Sequence, residues 1–283
     1  MNYRHHFHAG NLGDVLKHLV LAAVIERLKA KDAPITVIDT HAGAGLYELD
    51  SQGGEWQGGI GRLIPSEAAG WPPLLAPYAA ALGGEPLLYP GSPLVALRLL
   101  REQDRLIACE TVEEVAAELR RHLAHDPRAA VHRRDGWAAL RAFLPVKTGR
   151  TMVLIDPPFE AGEDFELLSR HIAEAAKRAP TAIVIGWFPV KGRRAVEALY
   201  RRLAGSGLEK LLAVEFLAEP DHDAGRFAGS GLVILRPPFQ LDQALRETLP
   251  VLLDRMGYRA TGSTRVEWLA GEAARGIDQD LAG

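Results

Sequence analysis

A chain of 283 residues, 47% hydrophobic and 24% charged, has the make-up of an ordinary globular protein and can bury one sizeable core with an insertion. Its formal net charge of −3 excludes a global basic field, so any nucleic-acid surface has to be local, with Arg120-Arg121, Arg133-Arg134, Arg193-Arg194, Arg201-Arg202 and Lys191 as candidates. A single cysteine, Cys109 in the apolar run Leu106-Ile-Ala-Cys109, excludes an internal disulfide and a cysteine-based zinc site, and the lack of a signal core or of an uncharged stretch near the roughly 18 residues of a membrane span predicts a cytoplasmic protein.

Tyr3-Arg-His-His-Phe-His8 is rich in rings and cations, and Ala9-Gly-Asn-Leu-Gly-Asp14 turns into a helix whose face is traced by Val15, Leu16, Leu19, Val20, Ala23 and Leu28. Tyr3 and Arg4 suit a lid that touches a substrate. A helix ahead of the first strand places Lys17 and His18 beside a bound cofactor. His5, His6, His8 and His18 lack a His-Glu-x-x-His spacing and an acid cluster, so no metal site is expected. Ile35-Thr-Val-Ile-Asp39 is the first strand. It runs into Thr40-His-Ala-Gly-Ala-Gly45, where Gly43 and Gly45 let the backbone approach a ligand. Glu48 stands where the third glycine of a dinucleotide turn belongs, so the turn fits a cofactor without a pyrophosphate, such as S-adenosylmethionine.

Glycine, proline and alanine dominate residues 47–90, which predicts a helical insertion and leaves 1–46 and 91–283 as the core. Tyr89-Pro-Gly-Ser-Pro93 is a tight turn before a helix over Leu94 to Leu100, with Ser92 as a cap or a cofactor contact. Arg105 to Glu110 is the second strand, and the acid at its end suits ribose hydroxyls. After a helix from Val112 to Leu123, the third strand runs from Ala129 to Gly136, and Asp135 is placed to accept from a cofactor's adenine amino group. Thr151 to Ile155, Ala182 to Pro189, Leu211 to Leu217 and Gly231 to Leu235 complete about seven strands of a doubly wound, Rossmann-like α/β sheet. The last two lack a helical link, so they are expected to form an antiparallel hairpin. Asp39, Glu110, Asp135 and Asp156 all fall at carboxyl ends of strands, the edge where such sheets bind ligands.

The fourth strand delivers Asp156-Pro-Pro-Phe159. Its prolines fix φ and donate no N–H, which gives a stiff loop with carbonyl acceptors. That suits methylation of an exocyclic amine on a base, whose lone pair is delocalised into the ring. If the Asp156 carboxylate and the Pro157 carbonyl each accept one N–H, the nitrogen is drawn toward tetrahedral geometry and can attack a sulfonium methyl. The loop then works by positioning and fixed electrostatics. Phe159 is expected to stack on the extruded base, worth roughly 1–3 kcal/mol. A second copy, Leu232-Val-Ile-Leu-Arg-Pro-Pro-Phe239, carries Arg236 in place of the acid and has no acceptor there. It reads as a structural strand ending.

Taken together, Tyr3-Arg-His5, Phe7-His-Ala-Gly-Asn11, Asp14-Val-Leu-Lys-His18, Asp39-Thr-His-Ala-Gly-Ala-Gly45, Tyr89-Pro-Gly-Ser-Pro93 and Asp156-Pro-Pro-Phe159 resemble the RlmJ-type large-subunit ribosomal RNA adenine-N6 methyltransferases. The resemblance runs from the N-terminus through the final strands. It implies a class I, S-adenosylmethionine-dependent fold with a small helical insertion, and N6-methylation of one adenosine in 23S rRNA, on protein-free RNA. By that resemblance His18, His41, Ser92, Glu110, Asp135 and Gly136 contact the cofactor, Asp156 is catalytic and Tyr3 touches the RNA. The family commonly has tyrosine where this chain has Phe159, so stacking survives and a hydroxyl is lost. Competing readings are methylation of DNA adenine or of a protein glutamine amide, and a non-catalytic RNA-binding module. The N-terminal block and the insertion favour ribosomal RNA over the first two, and the intact Asp156, Gly43, Gly45 and Glu110 argue against the third. Neither a metal nor an obligate protein partner is called for, and a monomer is expected.

Overall fold

Helix α1 (Leu12–Lys29) begins at Asn11, whose side chain accepts from the Asp14 N–H at 3.0 Å and caps the first turn. Apolar residues occupy every face from Leu12 to Leu28, and the helix is buried almost throughout, as an all-round apolar helix must be. The chain continues through β1 (Ile35–Asp39), β2 (Leu46–Glu48), β3 (Leu88–Pro90), β4 (Arg105–Glu110), β5 (Ala129–Arg133), β6 (Arg150–Ile155), β7 (Ile183–Val190), β8 (Leu211–Leu217), β9 (Gly229–Leu235) and β10 (Ser263–Ala270). Between them lie α2 (Ala76–Leu82), α3 (Ser92–Leu99), α4 (Glu113–Leu123), α5 (Gly136–Phe143), α6 (Asp164–Arg178), α7 (Arg193–Ala204) and α8 (Leu241–Arg255). This computed structural model describes residues 8–49, 53–63, 71–85, 87–147, 149–160, 162–221 and 225–271; Tyr3 and Arg4 lie outside them.

Eight strands form one sheet in the order β10-β8-β9-β7-β6-β1-β4-β5. From β5 to β7 the pairs are parallel, and β9 is antiparallel to both β7 and β8. The sheet is covered on both faces, which explains the unbroken apolar runs of its strands. Met152 and Leu154 of β6 join the core formed with α1, α3 and α8. Val153 and Ile155 join the opposite core formed with α5, α6 and α7. The last-hairpin expectation holds, and the Arg236-Pro-Pro-Phe239 loop consequently leaves the reversed β9 at the edge opposite Asp156.

The structure adds an eighth strand to the expected seven. β10 pairs antiparallel with β8, Thr264 opposite Phe216 and Val266 opposite Val214. Its half-exposed residues alternate apolar with charged ones, the mark of an edge strand. At the two ends of residues 47–90, β2 and β3 close an antiparallel pair that begins at Leu46 opposite Pro90, and Leu75 and Tyr78 are buried in the same core as α1. Arg193 is partly buried and engaged: its guanidinium donates twice to the buried Glu215 carboxylate at 2.8 Å, and Tyr200 donates a third bond at 2.7 Å. Burial raises the Glu215 pKa, but these partners outweigh it and hold the carboxyl below its ordinary value.

Candidate active site

The carboxyl ends of β1, β4 and β6 and the first turns of α1 surround a cleft of about 330 Å³, lined among others by Asn11, Asp14, Lys17, His41, Gly43, Glu110, Val112, Val115, Asp156, Pro157 and Trp187. One wall is ionic. Lys17 Nζ lies 2.5 Å from Asp156 Oδ2 and 2.6 Å from Asp14 Oδ1, and the Gly10 N–H donates to Asp14 Oδ2 at 2.9 Å. Lys17 is only 6% exposed, so these contacts are unscreened by bulk water. Burial disfavours its charge, yet the two carboxylates push its pKa well above the ordinary lysine value. Burial also opposes ionisation of Asp14, but Lys17 and the Gly10 N–H hold it well below the usual carboxylate range. Asp156 moves the other way. Burial lifts its pKa and Lys17 offsets this only in part, because the ammonium is shared with Asp14.

The opposite wall is the turn after β1. Gly43 and Gly45 have φ of 62° and 84°, a conformation glycine adopts without strain. The Glu110 carboxylate braces this turn, accepting from the Gly43 N–H at 3.1 Å and the Val112 N–H at 2.9 Å. Behind it, Asp39 accepts from the Ser92 hydroxyl at 2.6 Å and from the His41 N–H at 3.3 Å. Burial pushes the Asp39 pKa up to about 7, against the Ser92 hydrogen bond. Val112, 47% exposed, and Val115 add an apolar shelf on the cleft side.

Several expected site residues therefore meet at the cleft: Lys17, His41, Gly43, Glu110, Asp156 and Pro157. Others stand behind it. Ser92 reaches the site through Asp39. His18 is 1% exposed, shares a hydrogen bond with Tyr89 Oη at 2.8 Å, and stacks on that ring. Burial pushes its pKa down to about 3, which keeps the imidazole neutral. Asp135 caps α5, accepting from the Ala138 N–H at 2.8 Å. The third strand thus ends at Arg133, earlier than expected, because Asp135 starts the next helix. Gly136 packs against the β1 turn so tightly that a Cβ would sit 2.3 Å from Thr40 O and 2.6 Å from the His41 ring. Gly136→Ala is expected to cost about 1–3 kcal/mol of stability through overpacking and to weaken cofactor binding roughly tenfold by displacing the turn. Thermal unfolding and calorimetric titration of the variant check both.

Three features were missed in the sequence. Asp14 completes the ionic wall, and its spacing of three residues from Lys17 on one helix was the available signal. Glu55 accepts from Asn11 Nδ2 and pairs with His8 Nδ1, each at 2.9 Å, which ties residues 53–63 to the start of α1; nothing in its spacing announced this. Trp187 lines the cleft but sits in an apolar strand that reads as core. Phe159, in contrast, packs edge-on against Phe165 and Trp187.

Residues 32–270 match the family model described as "Ribosomal RNA large subunit methyltransferase D, RlmJ". The chain is 38% identical over 281 residues to "Ribosomal RNA large subunit methyltransferase J" of Escherichia coli (strain K12), covering 96% of this chain and 100% of that protein. It is 37% identical over 282 residues to the protein of the same name from Haemophilus influenzae, with the same coverage. A crystal structure of protein LPL1258 from Legionella pneumophila superposes with a TM-score of 0.85 at 28% identity, over 92% of this chain and 98% of that one.

Proposed function

The chain belongs to the RlmJ family of ribosomal RNA large subunit methyltransferases, and on that premise we propose that it methylates N6 of a single adenosine in 23S rRNA, presented as protein-free RNA. The observation that carries this reading is the opening of the Asp156-Pro157 acceptor pair and the Glu110-braced glycine turn into one cleft.

The residues present fit S-adenosylmethionine. Glu110, Gly43 and His41 would hold it, with the Val112 and Val115 shelf beside them, Asp39 and Ser92 bracing from behind, and Asp135 and Gly136 beyond His41. When bound, the cofactor supplies an electrophilic methyl group on a sulfonium. The chain's own contribution is to make the adenine amino group a nucleophile. Asp156 accepts one N–H and the Pro157 carbonyl the other, and because Lys17 fixes Asp156 Oδ2, the carboxylate is held in place and its remaining oxygen is left for the substrate. The amino proton becomes acidic only as the N–C bond forms, and a carboxyl whose pKa burial has raised suits it to take that proton.

Residues 47–90, as an insertion lobe, together with Tyr3, Arg4 and the exposed Lys191 and Arg194 beyond β7, make up the RNA side of this reading; Arg193 is committed to Glu215. No described helix is long and apolar enough to cross a membrane. A ribosomal RNA substrate goes with a cytoplasmic location, which is part of this reading. The test is transfer of labelled methyl from S-adenosylmethionine to protein-free 23S rRNA, assembled large subunits, duplex DNA and a protein extract. Label recovered as N6-methyladenosine in free rRNA alone is the expected result; label in DNA or in protein glutamine overturns the substrate, and cofactor binding without transfer overturns the enzyme.

A further inference from the structure

A target base needs a flat wall, and the loop phenylalanine is turned away from where that wall has to be. Phe159 has a φ of 51°, and its ring packs with the α5–α7 side of the sheet. Among the described residues that line the cleft, Trp187 is the one aromatic ring besides the histidines His8 and His41. On β7, Gly186 pairs with Ile155 of β6, so Trp187 stands level with Asp156 on the neighbouring strand. A Cβ on Gly186 would meet Leu168 and Ile172 of α6, and side chains alternate along a strand. Trp187 therefore faces the α1 side.

There its indole is wedged. A Cβ on Gly13 would come within 3.1 Å of the ring, and Phe159 meets it edge-on at 5.7 Å between centroids, 71° between planes. Lys17 Nζ lies 5.8 Å from the Trp187 centroid while donating to Asp156, so the indole borders the same spot as the acceptor that marks the amino group's position. A ring immobilised in advance offers stacking at little entropic cost.

We propose that Trp187 is the surface on which the target adenine stacks, with Phe159 as its edge-on buttress. Trp187 is then a base-positioning residue for the methyl transfer proposed above, and it rests on that reading. Position in the catalytic loop suggests Phe159 as the stacking ring; the side-chain directions assign that role to Trp187.

The test compares Trp187→Leu, Trp187→Phe and Phe159→Leu in methylation of protein-free 23S rRNA, with S-adenosylmethionine affinity measured by calorimetry. Trp187→Leu is expected to lose about 10- to 100-fold in kcat/KM, the range of one base–aromatic stack, with cofactor affinity unchanged. Trp187→Phe recovers most of the loss, and Phe159→Leu loses less than Trp187→Leu. Trp187→Leu within about twofold of wild type, or Phe159→Leu as the more damaged enzyme, overturns the assignment. Because Trp187→Leu is open to a folding defect, a second readout uses Trp187→Phe: a short adenosine-containing single-stranded RNA, added with S-adenosylhomocysteine, should quench the wild-type tryptophan fluorescence and leave the variant's unchanged. Equal quenching in both proteins overturns the proposal. A wild type that transfers no methyl to any RNA refutes the parent reading instead.

Discussion

Asp156→Ala is expected to lower the methyl-transfer rate about 10²- to 10³-fold, the scale of losing one fixed electrostatic contact at the reacting centre, while leaving cofactor affinity nearly unchanged. The asymmetry follows from position. Asp156 lies on the Lys17 wall, whereas the groups assigned to the cofactor's adenosine, Glu110, Gly43 and His41, lie across the cleft on the β1 and β4 side. Its removal leaves Lys17 paired with Asp14 at 2.6 Å, so the ammonium is not stranded and the fold should survive. Asp156→Asn separates two ideas about the carboxylate. An amide keeps one acceptor oxygen but presents donors to Lys17 or to the base N–H, so a variant as inactive as alanine shows that the charge matters, and one within about tenfold of wild type shows that a single acceptor is enough. Single-turnover transfer of labelled methyl measures the rate and calorimetry the affinity. Wild-type-like turnover by Asp156→Ala would sink the mechanism.

Much of this site was legible because a parallel sheet converts sequence position into place. Asp39, Glu110 and Asp156 each end a mainly apolar run, and strands that end together deliver such residues to one edge. What the chain did not disclose comes from contacts between distant segments and from local backbone turns. Lys17 and Asp156 are 139 residues apart, and no periodicity links them. Phe159 was read as the stacking ring because it follows the acceptor pair, but the left-handed turn after two prolines directs it to Phe165. Trp187 was hidden by its apolar neighbours in β7, since burial on both faces erases the alternation that would show which residue meets the cleft. His18 illustrates a third limit: its ring lies next to the site in sequence, yet the rings it meets, Tyr78 and Tyr89, come from beyond β2.

Lys17→Met should be the most destabilising single change at the site, by about 3–5 kcal/mol at neutral pH, because it strands two buried carboxylates that face one another. In the wild type the ammonium holds Asp14 well below its ordinary pKa, so Asp14 contributes stability above the unfolded carboxylate range and loses it only in strong acid. Without Lys17 the signs reverse. Burial and mutual repulsion raise the carboxyl pKa values above those of the unfolded chain, so the variant is least impaired in acid, where the carboxyls are neutral, and loses stability as the pH rises through the raised values. The deficit relative to wild type should therefore be larger at pH 8 than at pH 5. Adding Asp14→Asn to Lys17→Met removes one of the opposed charges and should recover part of the loss, more of it at the higher pH. Denaturant midpoints of the wild type and both variants at the two pH values check this. A deficit independent of pH would mean that Lys17 stabilises by packing its methylene stem rather than by joining the two acids.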